Sequence, residues 1–521
     1  MDRGEMLGRL RANPSPWDVI VVGGGATGLG VAIDAASRGY ATLLLEQSDF
    51  AKGTSSRSTK LVHGGVRYLQ QGNVSLVLEA LRERGILRDN APHLVHDLPF
   101  VVPNYDWWEA PFYGVGLRLY DALAGKHGFG PSRNLSKAKT IDLIPTIEQQ
   151  GLRGGVIYYD GQFDDARLAV NMAQTAADQG ATLLNYARVT GLLKAGGEVC
   201  GVQAADAESG ETFELQAKVV VNATGVFTDS VRHMDDPDAK RMVRPSQGIH
   251  LVLPSDFLPG NTAIMVPHTD DGRVLFAIPW HGRTVVGTTD TPVEEESLEP
   301  RPLDEEVEFL LAHAARYLSK DPVPSDVLSV FAGLRPLVGS GDDENTATIS
   351  RDHTISISRS GLVTITGGKW TTYRKMAEDT VDHAMAIGRL PERECVTRGL
   401  RLHGYHQNAA AFGGLATYGS DAPRLKDFLA QDAGHAEQLH PRLACKRGEV
   451  VWAARHEMAR TVDDFLARRT RSLLLDARAS IEAAPEVARL LGEALGNDAE
   501  WQQQQAEAFC SMARGYVLGA A

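Results

Sequence analysis

Three glycines near the start of the chain, Gly23, Gly25 and Gly28, have the G-x-G-x-x-G spacing of a dinucleotide site. Glycines at these positions let the backbone approach a pyrophosphate, and the start of the following helix offers unpaired N–H groups and a positive dipole end. Glu46 ends the next apolar run, where its carboxylate can accept hydrogen bonds from ribose hydroxyls. The pattern predicts a dinucleotide site. It does not by itself separate FAD from NAD.

Two later segments combine polar residues and glycines in a way that suits contact with a cofactor. Residues 54–60 are rich in hydroxyl groups and lead into the glycine turn Gly64-Gly65. The alternative for this segment is a solvated linker. A second glycine pair, Gly367-Gly368, precedes Lys369 and a helical segment. Backbone N–H groups there can stabilise negative charge at the N1–O2 edge of a reduced flavin, which favours FAD.

The elements that must position these residues are indicated by the apolar pattern. Residues 18–22 and 41–45 are typical of buried parallel strands, and the alanine-rich segment 26–38 between them is typical of a helix. Further apolar runs at 219–221 and 362–366 end in small residues or glycine. Because α/β folds admit ligands at the carboxyl ends of their strands, these runs are expected to lie at the same edge of one sheet.

Composition and charge exclude several classes of protein. The 521 residues include 43% hydrophobic and 23% charged residues, which is typical of a globular chain of several domains. The net charge of −13 argues against nucleic-acid binding, which needs a surplus of positive charge. The four cysteines have no C-x-x-C spacing, so we expect no metal site and a reducing compartment. No apolar run is long enough for a signal peptide or a spanning helix, which favours a cytoplasmic protein.

An ordered set of motifs resembles FAD-dependent glycerol-3-phosphate dehydrogenases of the respiratory type. The motifs are GGGATGLG, TSSRSTKLVHGGVRYL, FDDARL, VNATG, IPWHGRTVVGTTD, GLRPL, SRDH and GGKWTTYRKMAED. The resemblance covers about residues 17–385 and continues more weakly towards the C-terminus. The wider resemblance is to the amine and amino-acid oxidase superfamily.

The resemblance implies a fold of the α/β and α+β classes. It comprises a Rossmann-like FAD-binding domain, an interleaved antiparallel-sheet substrate domain similar to that of amino-acid oxidases, and a helical C-terminal domain. Alternating residues in 274–278 and 284–286 suit the second sheet. We expect an N-terminal tail over 1–17, discontinuous FAD-binding and substrate domains over 18–386, and a helical cap over 387–521.

The resemblance also implies oxidation of sn-glycerol 3-phosphate to dihydroxyacetone phosphate by hydride transfer to FAD. It places His250 near the substrate hydroxyl as a candidate base, although a packed strand histidine is the alternative. Arg335 is the expected phosphate ligand and alkoxide stabiliser, and Lys369 is expected near both flavin and substrate. Arg351, Arg67 and Tyr68 complete the predicted substrate site.

The expected FAD contacts share small, hydroxyl or backbone-donating character. They are Gly23, Gly24, Gly25, Thr27, Gly28, Glu46, Thr54, Ser55, Ser56, Ser58, Leu61, His63, Gly64, Gly65, Ala223, Thr224, Gly225, Gly368, Lys369 and Thr371.

Two regions outside the motifs bear on partners. Val451, Met458, Val462, Phe465 and Leu466 fall near helical spacing, so the C-terminal region is expected to pack as a helical cap, with a homodimer contact as the alternative. Residues 107–139 place aromatic residues beside basic ones, which suits either a core patch or a membrane-surface segment. The aromatic residues are Trp107, Trp108, Phe112, Tyr113, Tyr120 and Phe129. Respiratory relatives pass electrons to quinone, so peripheral attachment to the cytoplasmic face of the inner membrane is the second expectation.

Three other functions stay open. The first is an oxidase that passes electrons to oxygen, and the second is an FAD-dependent amine or amino-acid oxidase, whose carboxylate substrate an arginine also binds. The third is a flavin-binding protein without turnover that acts as an interaction or RNA-modification partner. The HGGVRYL and GGKWTTYRK segments favour the phosphate substrate, and the acidic charge weighs against RNA.

Overall fold

The computed structural model describes residues 1–13, 15–66, 69, 73–267, 269–270, 272–339 and 353–519. The strands of the described residues are β1 (Trp17–Val22), β2 (Thr42–Leu45), β3 (Leu61–Val62), β4 (Val95–Asn104), β5 (Arg133–Ser136), β6 (Gly154–Phe163), β7 (Thr182–Leu184), β8 (Ala187–Ala195), β9 (Glu198–Asp206), β10 (Thr212–Asn222), β11 (Val243–Pro254), β12 (Ala263–Val266), β13 (Leu275–Trp280), β14 (Arg283–Gly287), β15 (Thr291–Pro292), β16 (Ser329–Val338), β17 (His353–Ile357) and β18 (Val363–Gly367). They form two sheets.

The α-helices surround these sheets and dominate the C-terminal quarter of the chain. They are Arg3–Ala12, Ala26–Ser37, Val74–Asn90, Glu109–Ala124, Lys137–Leu143, Asp165–Asp178, Thr228–Asp235, Asp304–Ala315, Tyr373–Ile387, Ala422–Ala430, Ala433–Ala436, Arg447–His456, Ser472–Leu475, Ala477–Leu495 and Ala499–Ala513. A π-helical turn spans Asp464–Arg469. None of the helices described combines the length and apolar composition that crossing a bilayer requires.

The first sheet is the predicted nucleotide-binding sheet. Its strand order is β17-β18-β10-β1-β2-β7, and β1 pairs in parallel with both β10 and β2. Val21 lies opposite Val221 on β10 and Leu44 on β2, and all three side chains are buried. The residues of β1 and β2 are almost all buried, on both faces of each strand, which explains why these strands are apolar throughout. The carboxyl ends of the parallel strands β1, β2, β10 and β18 meet at one edge, as the sequence predicts.

The second sheet is a mostly antiparallel sheet of ten strands. Its order is β15-β11-β14-β13-β12-β4-β6-β3, with β16 on β11 and β5 on β6. Both sheets draw strands from the same stretch of chain, so the two domains are interleaved and the predicted fold class is confirmed. Along β11, Ile249 and Leu251 pack towards the helix Asp304–Ala315, whereas Val252 packs towards the C-terminal helices. This alternation follows from the two-residue period of a strand.

That period puts two predicted site residues on one face of the second sheet. His250 lies opposite Phe331 on β16, and Ser246 lies opposite Arg335. Residues directly opposite each other on neighbouring strands share a face, and so do residues two apart. His250 and Arg335 therefore face the same side, which is also the side of the C-terminal helices.

The C-terminal helices differ from the predicted pattern at one point. The spacing of the apolar residues over 451–466 does not correspond to one continuous helix. The helix Arg447–His456 ends before Met458, whose φ is +55°. The chain then resumes in the π-helical turn Asp464–Arg469. Met458, Val462 and Phe465 are all fully buried, so their spacing reflects burial in the core and not one continuous helix.

Candidate active site

A cleft of about 540 Å³ runs along the carboxyl ends of the parallel strands. Its walls include eleven of the predicted FAD contacts: Gly23, Gly25, Thr27, Glu46, Thr54, Ser55, Ala223, Thr224, Gly225, Gly368 and Lys369. The remaining nine, Gly24, Gly28, Ser56, Ser58, Leu61, His63, Gly64, Gly65 and Thr371, do not line it. The position at the strand ends is where α/β folds bind nucleotides.

The glycines of the first turn leave no room for side chains. A Cβ on Gly28 would lie 1.9 Å from the carbonyl oxygen of Gly23, and a Cβ on Gly23 would lie 2.6 Å from that of Ala223. Gly23 also has a φ of +109°, which favours glycine. The helix Ala26–Ser37 therefore starts directly against the strand, and Ala26 and Thr27 at its start line the cleft, where a helix N-terminus suits a pyrophosphate.

Glu46 lies where the sequence predicts a ribose ligand. Its two carboxylate oxygens accept hydrogen bonds from the amides of Gly24, at 2.6 Å, and Ser48, at 2.9 Å. Burial raises the pKa of Glu46, and the two amide donors oppose that rise. These backbone bonds fix the carboxylate at the cleft wall, where further lone pairs can serve ribose hydroxyls.

The hydroxyl-rich loop joins the cofactor cleft to the second sheet. The amide of Ala26 donates to Ser55 Oγ at 2.9 Å, so the loop covers the start of the nucleotide-site helix. Thr54 Oγ1 donates to the carbonyl of Leu334 on β16 at 2.6 Å. The indole N–H of Trp370 donates to the carbonyl of Ser55 at 2.8 Å. The loop is therefore a structural link and not a solvated linker.

Several predicted cofactor contacts turn into the protein instead of the cleft. Ser58 Oγ donates to Asp165 at 2.7 Å, and the amide of Gly64 donates to Tyr120 at 2.7 Å. The amide of His63 donates to Thr371 Oγ1 at 3.2 Å. Ser56 and Leu61 are buried. Ser58 holds the loop against Asp165, and the amides of His63 and Gly64 are bonded within the protein, whereas Thr54 and Ser55 line the cleft.

His250 occupies a closely packed position beside the loop. The residue is 2% exposed, its Nε2 lies 3.0 Å from Thr59 Oγ1, and its ring stacks on Phe331 with centroids 4.8 Å apart. Burial holds the pKa of His250 well below its ordinary value, and the positive charges of Lys60 and Arg335 lower it further. The ring is therefore neutral near pH 7, which is the state that a proton acceptor needs.

Arg335 is held in place by a turn of the second sheet. Its guanidinium donates to Thr288 Oγ1 at 3.1 Å, to the Thr289 carbonyl at 3.0 Å and to Asp290 at 3.3 Å. Gly248 makes room for it, because a Cβ there would lie 2.3 Å from Nη2. Asp290 offsets part of the charge, so a dianionic phosphate would need further cations. Of the other predicted substrate residues, Lys369 lines the cleft, whereas Arg67, Tyr68 and Arg351 lie outside the described residues.

Sequence reasoning missed three paired cations in and just before the same loop, of which Arg57 and Lys60 are buried and Lys52 is half-buried. Lys52 pairs with Asp463 at 2.7 Å, Arg57 with Glu299 at 2.7 Å, and Lys60 with Asp165 at 2.7 Å. Burial lowers the pKa of Lys60 to about 7, and Asp165 opposes the shift. The one available signal was that basic residues recur in the same segment as the hydroxyl groups.

The C-terminal region also reaches the cofactor side of the molecule. Asp49, just after Glu46, receives two hydrogen bonds from the guanidinium of Arg469, at 2.7 and 2.9 Å, and a further one from Arg468. All three side chains are buried. Nothing in the local sequence pattern predicts these contacts, since the partners are separated by about 420 residues.

Comparison with known proteins agrees with this geometry. The family described as FAD dependent oxidoreductase matches residues 18–374, and the family described as C-terminal domain of alpha-glycerophosphate oxidase matches residues 362–505. The mitochondrial glycerol-3-phosphate dehydrogenase of Arabidopsis thaliana is 43% identical, with 94% of this chain and 85% of that protein aligned. The mitochondrial enzyme of Homo sapiens is 41% identical, over 95% and 73%.

A solved structure extends the likeness to three dimensions. The glycerol-3-phosphate dehydrogenase from Bacillus halodurans, complexed with FAD, has a TM-score of 0.80 and 31% identity, covering 99% of this chain and 97% of that one. The predicted FAD cofactor and the predicted family are thereby confirmed. The chain belongs to the family of FAD-dependent glycerol-3-phosphate dehydrogenases.

Proposed function

We propose that this protein oxidises sn-glycerol 3-phosphate to dihydroxyacetone phosphate and passes the electrons on to a quinone. The observation that carries the proposal is the position of His250 and Arg335. They share one face of the second sheet, beside the loop whose Thr54 and Ser55 line the FAD cleft. Bound FAD supplies the hydride acceptor for carbon 2 of the substrate.

His250 is the proposed proton acceptor. Its neutral ring can take the proton of the substrate's C2 hydroxyl as hydride leaves the same carbon, because burial and two nearby cations disfavour prior protonation. The hydrogen bond to Thr59 and the stacking on Phe331 hold the ring in one orientation. Arg335 is the proposed partner that stabilises the developing alkoxide and binds the phosphate.

The charge of the phosphate requires more than Arg335. One guanidinium shared with Asp290 does not neutralise a dianion. Lys369, Arg67 and Arg351 are the proposed additional cations, with Tyr68 as a hydroxyl donor. This division of roles predicts that substrates without the phosphate bind far more weakly.

The test is an anaerobic titration of the purified holoenzyme followed by absorbance. Flavin bands near about 370 and 450 nm should bleach on addition of sn-glycerol 3-phosphate. Glycerol and glycine, at the same concentration, serve as controls for the phosphate and for an amino-acid substrate. Bleaching by glycine but not by glycerol 3-phosphate would contradict the proposal.

A glycerol-3-phosphate oxidase is the second candidate, because residues 362–505 match the C-terminal domain of alpha-glycerophosphate oxidase. The two functions differ only in the electron acceptor. Reoxidation of the reduced enzyme should be faster with a soluble quinone analogue than with air-saturated buffer. Faster reoxidation by oxygen, with one peroxide formed per substrate, would favour the oxidase.

We further propose that the enzyme docks on the membrane surface where its quinone lies, on the cytoplasmic face of the inner membrane. On the helix Glu109–Ala124, Phe112 is 51% exposed, Val115 68% and Leu119 50%, and Trp107 just before it is 77% exposed. The opposite face of the helix is buried. An exposed apolar face of this kind, next to the exposed Arg118, suits insertion into a headgroup layer.

Vesicle co-sedimentation tests this docking. With vesicles of phosphatidylglycerol and phosphatidylcholine, we expect the protein to pellet with the lipid. The double substitution Phe112→Ser and Val115→Ser should release it. Val396→Ser is the matched control, because Val396 is 52% exposed and lies outside this helix. A wild-type protein that stays in the supernatant would refute the docking.

A further inference from the structure

Arg471 is buried where the C-terminal region packs against the hydroxyl-rich loop of the candidate active site. Its side chain is 1% exposed, and its Nη2 donates to the carbonyl of Ser56 at 2.7 Å and to Asp165 Oδ1 at 2.9 Å. The guanidinium also lies 5.5 Å from the centre of the Trp280 ring on β13. One side chain therefore contacts the hydroxyl-rich loop, the helix Asp165–Asp178 and the second sheet.

Lys60 contacts the same three residues as Arg471. Its Nζ donates to the same carbonyl of Ser56 at 2.9 Å and to Asp165 Oδ2 at 2.7 Å, and it lies 5.3 Å from the centre of the Trp280 ring. Two cations thus share one carbonyl, one carboxylate and one aromatic ring. Asp165 also accepts two hydrogen bonds from Ser58, through the amide at 3.1 Å and the hydroxyl at 2.7 Å.

The backbone of both cations has the left-handed conformation. The φ of Arg471 is +63° and that of Lys60 is +66°. This conformation is disfavoured for residues with a Cβ, so it persists where surrounding contacts hold it. The contacts of both side chains with Asp165 and Ser56 are contacts of this kind.

The segment held in this way ends at the proposed base. Thr59 lies between Ser58 and Lys60, and its hydroxyl is 3.0 Å from His250 Nε2. The ring of Phe331, on which His250 stacks, has the ammonium of Lys60 4.9 Å from its centre. The loop and the aromatic face that position His250 are therefore both in contact with Lys60.

We propose that Arg471 is a positioning residue of the active site: with Lys60 and Asp165 it fixes the loop over residues 56–60 so that Thr59 holds His250 in its reactive orientation. Arg471 does not touch the substrate. It acts on the reaction from a region that lies about 300 residues further along the chain than Asp165. The inference rests on the proposed role of His250.

The test compares Arg471→Met with Arg471→Lys in flavin-loaded enzyme. Arg471→Met should lower kcat at least 10-fold and leave KM for glycerol 3-phosphate within about 3-fold, because displacing a catalytic group by about 1 Å costs on the order of 10²-fold. Lysine keeps the positive charge but lacks the planar guanidinium that donates to two acceptors at once. Arg471→Lys should therefore retain a higher kcat than Arg471→Met. A purely structural residue would lower flavin content and leave kcat per bound flavin unchanged.

Two further variants keep the test decisive. Thr59→Val removes only the hydroxyl contact to His250 and should give the same loss of kcat, so it decides the matter if Arg471→Met does not hold FAD. Arg447→Met is the matched control, because Arg447 pairs with Glu437 and Glu486 inside the C-terminal region. Its kcat should stay within 2-fold of the wild type.

Failure of the inference is distinct from failure of the proposed function. If Arg471→Met and Thr59→Val both keep kcat within 3-fold of the wild type, the inference is wrong while glycerol 3-phosphate oxidation stands. If the wild-type flavin does not bleach with glycerol 3-phosphate, the proposed function is wrong.

Discussion

Replacing Gly248 by alanine should damage substrate binding without touching the cofactor. Gly248 lies on β11 beneath the guanidinium of Arg335, and it does not line the FAD cleft. A Cβ there would stand 2.3 Å from Nη2, 2.6 Å from Nη1 and 2.6 Å from Thr288 Oγ1. The backbone of Gly248 is held by its pairing with Gly333 on β16, so the guanidinium must move.

The size of the effect follows from these distances. Ordinary contact begins at 3.4 Å, so Nη2 must shift by 3.4 − 2.3 = 1.1 Å. The shift breaks hydrogen bonds of 3.1 Å to Thr288 and 3.0 Å to Thr289. A displacement of about 1 Å in a positioning group costs on the order of 10²-fold in rate. We expect kcat/KM for glycerol 3-phosphate to fall roughly 10- to 100-fold, about 1.4–2.7 kcal/mol of transition-state stabilisation.

The assay is steady-state reduction of a quinone analogue, normalised to bound flavin by absorbance. Gly8→Ala is the control, because no atom lies within 4 Å of a Cβ at that helix position. Gly8→Ala should leave kcat/KM unchanged. If fully flavin-loaded Gly248→Ala has kcat/KM within 3-fold of the wild type, the placement of Arg335 against the substrate is wrong.

Three other variants test separate parts of the structure. Gly28→Ala should abolish the flavin absorbance of the purified protein, because its Cβ would lie 1.9 Å from a carbonyl oxygen of the nucleotide turn. His250→Ala should lower kcat by about 10²–10⁴. In the wild type the acid limb of kcat/KM should lie below pH 6.5, since burial lowers the pKa of His250 and only the neutral ring accepts a proton; a limb above pH 6.5 would contradict this. The third variant concerns His403. Burial lowers the pKa of His403, but hydrogen bonds to Asp178 and Asp421 outweigh burial and raise it to about 9. The stabilising effect of protonated His403 is therefore complete below pH 6.5 and is lost as the pH rises through about 9. Urea titration should show that His403→Gln differs from the wild type in free energy of unfolding more at pH 6 than at pH 10.

The nucleotide-binding sheet was predictable because its signals are local. The strand around Val21 and the glycines after it lie within one short stretch, and close backbone approach explains the spacing. The strand predicted at 219–221 is longer in the structure, Thr212–Asn222, because its first half pairs with β9. That half alternates instead of being continuously apolar, so it lacks the signature of a buried parallel strand.

The cation contacts of the site were not predictable because their partners are remote in sequence. In the sequence, nothing distinguishes Lys60 and Arg471 from other charged residues. The fold brings both of them into contact with Asp165. The aromatic segment shows a related limit. Tyr113 and Tyr120 pack into the core at helical spacing, whereas Phe112 faces outwards from the same helix. The composition of such a segment does not show which aromatic residues are buried. That depends on the position of each residue around the helix axis.

The pairing of Asp49 with Arg469 bears on how the protein is made. The two residues are separated by 420 positions, so a ribosome adding about 5–20 residues per second needs roughly 20–80 s between them. During that interval Asp49 has emerged from the ribosome while the arginine that neutralises it has not been synthesised. Strand β18, which completes the parallel core beside β10, also emerges late. We therefore expect the ion pair of Asp49 and the edge of the parallel sheet at β18 to form only after most of the chain has been synthesised.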